Sequence, residues 1–199
     1  HVPAQTIRNP GERNPMLAFP YTRLHNTSWN VDQAGAMLFC SEALADRLGI
    51  AEGRRVYPLA SAQCEQMLSV AQRRHLERVP GVAAAARRLE QSLDMALADV
   101  DFVDLYSCFP VAVLAYAAEL GLPLDRDLTV TGGMPFAGGP LNNYVIQASC
   151  RLAEQLRGRD SATGLVTSVS GLMTKQGLGL WSSAPPRSPF ELIDVTAEV

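Results

Sequence analysis

Phe102-Val103-Asp104-Leu105-Tyr106-Ser107-Cys108-Phe109-Pro110 reads as a strand, a short loop and the first position of a helix. Asp99-Val100-Asp101 leads into the strand, expected over Phe102 to Tyr106, and Pro110 has the fixed φ that suits a helix start. Downstream the alternation continues. A short strand is expected over Leu128 to Thr131, a glycine-rich loop over Gly132 to Pro140 and a helix over about Asn142 to Arg157. A strand over Gly164 to Ser168 and a last one over Gly177 to Ser182 follow. The order β-α-β-α-β-β predicts an α/β domain, a mixed sheet flanked by helices.

Upstream, Pro80-Gly81 opens a helix to about Ala98, dominated by alanine, leucine and arginine, all strong helix formers. Residues 63 to 79 are polar, with scattered Met67, Leu68, Val70 and Leu76, and read as a helical turn or loop. Arg55 to Ala62 alternates as a strand, with Pro58 marking an edge or a bulge. Ala34, Met37, Leu38, Ser41, Leu44 and Ala45 recur at three- and four-residue spacing. That spacing predicts a helix from Gln33 to Leu48, capped by Asn30 or Asp32 and stopped at Gly49. Residues 1 to 28, with Pro3, Pro10, Gly11, Pro15 and Pro20, read as an irregular segment that packs onto something else. Residues 183 to 199, with Pro185, Pro186 and Pro189, read as an exit linker, which leaves 29 to 182 as the domain proper. So long an irregular start, in a chain beginning at His1, gives the expectation of a piece whose beginning is cut from a longer protein.

Composition removes several classes of function. Apolar residues make up 47% and charged residues 19% of the 199, which is globular rather than disordered and enough for one core. With a net charge of −3 and no basic stretch, the chain lacks the footprint of a nucleic-acid binder; Arg73-Arg74 and Arg87-Arg88 read as solvated helix faces. The longest apolar run, Val111 to Ala118, falls far short of the roughly 20 residues a bilayer demands. Cys40, Cys64, Cys108 and Cys150 lie far apart, with no CxxC and no histidine at ligand spacing. Neither a metal site nor a disulfide framework is expected, and the pattern suits a reduced, cytoplasmic protein.

Three loops each follow a strand, so all should emerge at one edge of the sheet, where open α/β sheets bind ligands. In Tyr106 to Pro110, Cys108 precedes a helix N-terminus, which would lower its thiol pKa and suit it to nucleophilic or acid/base work; the alternative is a small buried hydrophobe. In Gly132 to Pro140, backbone N–H groups can approach a carbonyl or phosphate, and Asn142 and Asn143 stand at the following helix; the alternative is a tight turn that needs glycine for its φ. The spacing fits neither GxGxxG nor the phosphate-binding GxxxxGK[ST] loop. In Ser168-Val169-Ser170-Gly171, hydroxyls lie near Thr174 and Lys175, but the SxxK spacing is absent. His1 and His25 cannot be tied to a serine triad, and His75 reads as a surface residue, so a serine hydrolase is not expected.

Taken in this order, the loops resemble those of the C-terminal half of the thiolase superfamily, above all the sterol-carrier-type thiolases and thiolase-like acetyl-CoA acetyltransferases. The resemblance covers Trp29 to Ser182. Trp29-Asn30-Val31-Asp32-Gln33-Ala34-Gly35-Ala36 is similar to the family's Asn-x-x-Asp-Gly-Ala, and Val103 to Phe109 falls at its Asn-Glu-Ala-Phe or His-Asp-Cys-Phe motif. Thr131 to Pro140 falls at Gly-Gly…Gly-His-Pro, and Gly164 to Gly171 at the strand with Cys-x-Gly. The chain departs from the pattern at the decisive positions. Gly139 stands for the histidine, Val169 for the Cys-x-Gly cysteine, and Tyr106-Ser107 for Asn-Glu or His-Asp, while Cys108 and Phe109 match the sterol-carrier version.

The resemblance implies an acyl-CoA as substrate, no separate cofactor, a homodimer, and a missing N-terminal half that carries the acylated cysteine. It implies Cys108 as acid/base with Tyr106 as an alternative proton donor, and Gly138, Gly139, Asn142, Asn143, Ser168, Ser170 and Gly171 around the thioester. The activity implied is acetyl-CoA acetyltransferase chemistry of the Claisen or retro-Claisen kind, in lipid or sterol metabolism. The altered positions leave two alternatives: an aldolase acting on a CoA thioester, or a non-catalytic CoA-binding or scaffolding subunit.

Overall fold

The computed structural model of the chain describes residues 2–139 and 141–199; Pro140, the expected end of the glycine-rich loop, and His1 lie outside the described residues. The first segment contains a short helix, α1 (Ala4–Arg8), and a small hairpin of β1 (Met16–Ala18) and β2 (Tyr21–Thr22). Buried Asn14 ties these pieces together by donating from Nδ2 to the carbonyls of Thr6, Ile7 and Asn9.

The helix expected over 33 to 48 shrinks to α2 (Glu42–Arg47), and Ser41 rather than Asn30 or Asp32 caps it, its Oγ accepting from Leu44 N–H at 3.3 Å. Residues 31 to 38 are extended and alternate between half-buried and exposed. Gln33 and Gly35 dock on the helical layer: an added Cβ at Gly35 would meet Ile146 Cγ2 at 2.7 Å, and Gln33 Nε2 donates to Ala137 O. A helical path would lift these residues off their partners, so tertiary contact overrides the three-and-four spacing.

Next come β3 (Tyr57–Glu65), α3 (Pro80–Leu93), β4 (Phe102–Asp104) and α4 (Pro110–Glu119). They are followed by a single turn α5 (Met134–Ala137), α6 (Asn143–Leu156), β5 (Thr163–Ser170), β6 (Lys175–Ser182) and β7 (Glu191–Asp194). The predicted helix to Ala98 stops at Leu93, where Asp94 takes a left-handed conformation. The stretch Leu128 to Thr131 is not a strand; its backbone is held instead by Leu105 N–H on Leu128 O and by the Asp104 carboxylate. The tail, expected as a linker, returns to the sheet as β7 because Ile193 and Val195 are apolar and buried.

Five strands form one mixed sheet in the order β4-β5-β6-β3-β7. The β4–β5 and β3–β7 pairs are parallel, and β6 runs antiparallel to both β5 and β3. Period-two alternation sorts its side chains. Ala60, Ala62, Leu165, Leu178 and Leu180 face the main core with Val82, Ala85 and Leu89 of α3. Alanine on α3 lets that helix lie close to the sheet. On the opposite face α6 packs on β4 and β5 through Tyr144, Ala148 and Leu152, around Val166. Beside α6 the same face carries Ser61, Gly177 and Gly179, which floor a groove of about 510 Å³ walled by Phe39, Val145 and Trp181.

Candidate functional site

Parallel pairing of β4 with β5, Phe102 opposite Gly164 and Asp104 opposite Val166, sends the ends of both strands to the same rim. The loop after β4 meets the glycine-rich loop there. Met134 N–H donates to Ser107 Oγ at 2.9 Å, and Tyr106 N–H donates to Thr167 Oγ1 at 2.9 Å across to β5. Tyr116 of α4 donates its hydroxyl to Ser168 O at 2.9 Å, tying the end of β5 to the same corner. Two of the three loops singled out from the sequence therefore meet at one rim; of the third, expected over Ser168 to Gly171, Ser168 to Ser170 are the paired end of β5, and it reaches this corner through Ser168.

Beneath them lies a polar knot. Asp104 is fully buried, and its Oδ2 accepts from the hydroxyls of Thr129 (2.9 Å) and Thr131 (3.0 Å) and from the N–H groups of Val130 (3.0 Å) and Thr131 (3.1 Å). Its Oδ1 accepts from Tyr144 Oη at 2.8 Å. A buried carboxylate is tolerated only when its lone pairs are filled in this way. The knot fixes the start of the glycine-rich loop and the first turn of α6 relative to β4. Burial, with the neighbouring Asp104 charge, pushes the Tyr144 phenol upward.

Tyr106 and Cys108 are half-buried on the α6 side, where the rings of Tyr106 and Tyr144 meet edge to face at 5.4 Å between centroids. Burial raises both the Cys108 thiol and the Tyr106 phenol above their ordinary values. This corrects the expectation of a thiol lowered by the helix N-terminus: Cys108 precedes α4 by two residues, and desolvation outweighs the lowering by the backbone N–H groups of Phe109 and Cys108. A protonated thiol is the form this environment favours.

The proposed thioester-binding residues divide into groups. Gly138 and Gly139 are buried, and their amides are engaged within the fold, Gly138 N–H on Met134 O at 3.1 Å and Gly139 N–H on Ser28 O at 2.9 Å. Asn142 is exposed at the start of α6, while Asn143 donates to Gln33 Oε1 at 3.5 Å. Ser168 lines the 510 Å³ groove. Ser170 and Gly171 are exposed in the turn to β6, where Thr174 donates its hydroxyl to Gly171 O at 2.6 Å.

Sequence reading gave no site role to Thr27 and Ser28, which lie between the motif loops. Thr27 N–H donates to Cys108 O at 3.3 Å and Ser28 N–H to Met134 O at 3.2 Å. An added Cβ at Gly139 would sit 1.8 Å from Thr27 Oγ1 and 2.6 Å from Met134 Cε, so no side chain fits there. His25 also approaches the site: its Nδ1 accepts from Thr22 N–H at 3.1 Å, and the ring borders a second groove along α4. The signal available was the dense run of small polar residues Asn26-Thr27-Ser28 just before the motif at Trp29. Among the described residues, no group of three or more potential metal ligands occurs, and no helix is long and apolar enough to cross a membrane.

No family model matches the chain. The 3-ketoacyl-CoA thiolases of Photobacterium profundum and Vibrio vulnificus are 32% and 29% identical to it over 143 residues, 71% of this chain. A monomeric SCP2-thiolase-like protein type 1 from Mycobacterium smegmatis superposes with a TM-score of 0.79 at 30% identity, over 91% of this chain. The dimeric peroxisomal thiolase of Saccharomyces cerevisiae, 15% identical, superposes over 70% of this chain with a TM-score of 0.53 and shares the fold. The chain spans 35% of the length of these two curated relatives and 40% of the Mycobacterium smegmatis protein.

Proposed function

This chain belongs to the thiolase superfamily and is built as its C-terminal half; from that premise we propose that it forms one wall of an acyl-CoA site in a thiolase-type acyltransferase, completed by an N-terminal half. The observation that carries the reading is the meeting of the Tyr106–Phe109 and Gly132–Gly139 loops at one rim of the sheet, beside Thr167 and Ser168 of β5 and with Cys108 among them. The sheet face left open beside α6 supports the second half of the claim, since a sheet of this architecture is normally covered on both faces. Ser61, Gly177 and Gly179 on that face let another layer approach closely.

In this reading the chain assists Claisen or retro-Claisen chemistry on a CoA thioester. Cys108, held in its protonated form by burial, gives its proton to the carbanion released in the retro-Claisen direction and is left as a thiolate, the form that would take a proton from the reacting carbon in the Claisen direction. Tyr106, two residues away on the same loop, is the alternative donor and would suit an aldolase-type cleavage. The Gly171 amide, in the turn that follows β5, is the one this reading assigns to the thioester carbonyl, because those of Gly138 and Gly139 are already engaged. A cytoplasmic homodimer is the assembly expected, with the monomeric state of the Mycobacterium smegmatis protein as its alternative; size-exclusion chromatography separates the two.

A second reading has its own observation. Thr27 and Met134 fill the space that a side chain at 139 would need, and the two neighbouring amides are occupied, which favours a CoA-binding subunit without turnover. Thiolysis and synthesis of acetoacetyl-CoA by the complete polypeptide separate the readings. Turnover supports the transferase, and binding without turnover supports the scaffold. An active protein whose rate survives Cys108→Ala removes Cys108 from the mechanism.

A further inference from the structure

Residues 183 to 190 carry the chain from the end of β6 around the start of β3, since Ser182 lies opposite Tyr57 and Glu191 opposite Ala60. Residues 185 to 190 are exposed throughout, and the β7 that follows pairs with β3 alone. Burial then alternates. Ile193 and Val195 enter the main core beside α3, while Leu192 and Asp194 face outward. The other ties lie at the surface. Ser92 Oγ donates to Glu191 Oε2 at 2.6 Å, Arg88 Nη1 to Glu198 Oε1 at 2.7 Å and Glu65 N–H to Thr196 Oγ1 at 2.9 Å. A strand held by two buried apolar side chains and exposed hydrogen bonds opens at less cost than the strands inside the sheet.

Without β7, β3 would be an edge of the sheet. It runs nine residues, Tyr57–Glu65, and carries no charge before Glu65. A long uncharged edge is a template for pairing with another chain. Pro58, which has no N–H, interrupts its start, but from Ala60 to Gln63 the guard is β7. The edge that β7 presents in its place is four residues long, carries Glu191 and Asp194, follows Pro189 and ends in the turn Thr196–Glu198. Short, charged and interrupted edges resist pairing. We infer that β7 is a cap: it closes the β3 edge against a second copy of this chain, and its release turns that edge into a self-association surface. A second copy fits because β3 is complementary to itself. An antiparallel pair centred on Ser61 and Ala62 sets Glu65 of one copy opposite Pro58 of the other, so no like charges meet across the two-fold axis.

The test uses the complete polypeptide with Ile193→Asp and Val195→Asp together, since two carboxylates do not enter an apolar core and β7 is released. Hydrogen exchange of the amides of residues 191–195 verifies the release, and light scattering after size-exclusion chromatography reads the mass. On concentration the released variant is expected to reach about twice the wild-type mass. An excess of a synthetic peptide of residues 189–199 is expected to return it to the wild-type value, and Leu192→Asp, at an exposed position, to leave the mass unchanged. A released variant that keeps the wild-type mass overturns the inference. Association that saturating peptide does not reverse overturns it as well, because the exposed core rather than the β3 edge then drives it. If circular dichroism finds the double variant unfolded, Arg88→Ala with Ser92→Ala decides, since these remove two exposed ties and leave Ile193 and Val195 in place. Several-fold faster exchange at residues 191–195, with a mass that rises on concentration, supports the cap; faster exchange without that rise, or unchanged exchange, overturns it. None of these measurements involves a thioester, so the cap stands or falls apart from the acyl-CoA reading.

Discussion

Replacing Gly139 with alanine adds one methyl group where the surroundings have little room to yield. The new Cβ falls 1.8 Å from Thr27 Oγ1, 2.6 Å from Met134 Cε and 3.1 Å from Thr27 Cβ. The methionine tip can swing aside. Thr27 cannot do so easily, being β-branched with few χ1 options and tied through its N–H to Cys108 O at 3.3 Å. Relief requires the incoming segment and the glycine-rich loop to part, which endangers the Gly139 N–H bond to Ser28 O. Overpacking costs about 1–3 kcal/mol, and losing the hydrogen bond adds about 1 kcal/mol, so a destabilisation of about 2–4 kcal/mol is expected. Thr27→Ala alone should be close to neutral, since among the described residues its buried hydroxyl has no partner to lose. Combining the two substitutions removes the 1.8 Å collision, and the double variant should recover more than about 1 kcal/mol of the loss, a coupling typical of side chains in contact. Urea unfolding followed by far-UV circular dichroism measures all three variants on one scale. A Gly139→Ala protein within about 0.5 kcal/mol of wild type, or a double variant that is simply additive, would refute the steric argument.

Other outcomes follow from the same geometry. Asp104→Asn replaces an acceptor of five hydrogen bonds by a group that can accept only part of them, and should cost about 2–4 kcal/mol in urea unfolding; a loss under about 1 kcal/mol would mean that the knot does not hold the loops. Glu119 accepts from Arg78 Nε at 2.7 Å and Nη2 at 3.0 Å and from Val79 N–H at 2.8 Å, and the Arg78 guanidinium lowers its carboxyl pKa from 4.5. Since the folded value is the lower one, its stabilising contribution is complete above the unfolded value and disappears as the pH falls through the folded value. The stability advantage of wild type over Glu119→Gln should therefore be constant near neutrality and vanish in acid; an advantage that grows on acidification contradicts the ion pair. Burial holds the Cys108 thiol protonated, so iodoacetamide near pH 7.5 should label exposed Cys40 well before Cys108, as peptide mapping would read; the reverse order would mean that Cys108 is an activated thiolate.

Much of the architecture could be read from residue pattern because local and tertiary preferences agree there. Alanine and leucine in Pro80–Leu93, and alternation in Lys175–Ser182, each point to the element that forms. Where the two disagree, the pattern misleads. The spacing of Ala34, Met37 and Leu38 looks helical, yet these residues lie outside any helix because their neighbours Gln33 and Gly35 dock on Ala137 and Ile146. The prolines at 185, 186 and 189 hide β7, in which Ile193 is the one buried apolar residue, with buried Val195 just beyond it. At the candidate site the motif loops were visible because glycine and proline punctuate them. Asp104 was quoted within its strand, but its five donors come from residues 129 to 144 and leave no local mark. The roles of Thr27 and His25 are equally long-range, since Thr27 meets residues more than 80 positions away.

That separation orders events during synthesis. Thr27 and Ser28 leave the ribosome early, but the carbonyls of Cys108 and Met134 and the amide of Gly139 that receive them are translated much later. Contacts of such span form slowly, because the intervening chain must be closed into a loop first. The helices can therefore be in place on a nascent chain while the incoming stretch still hangs free, and the rim where these segments meet is the last part to be stitched shut.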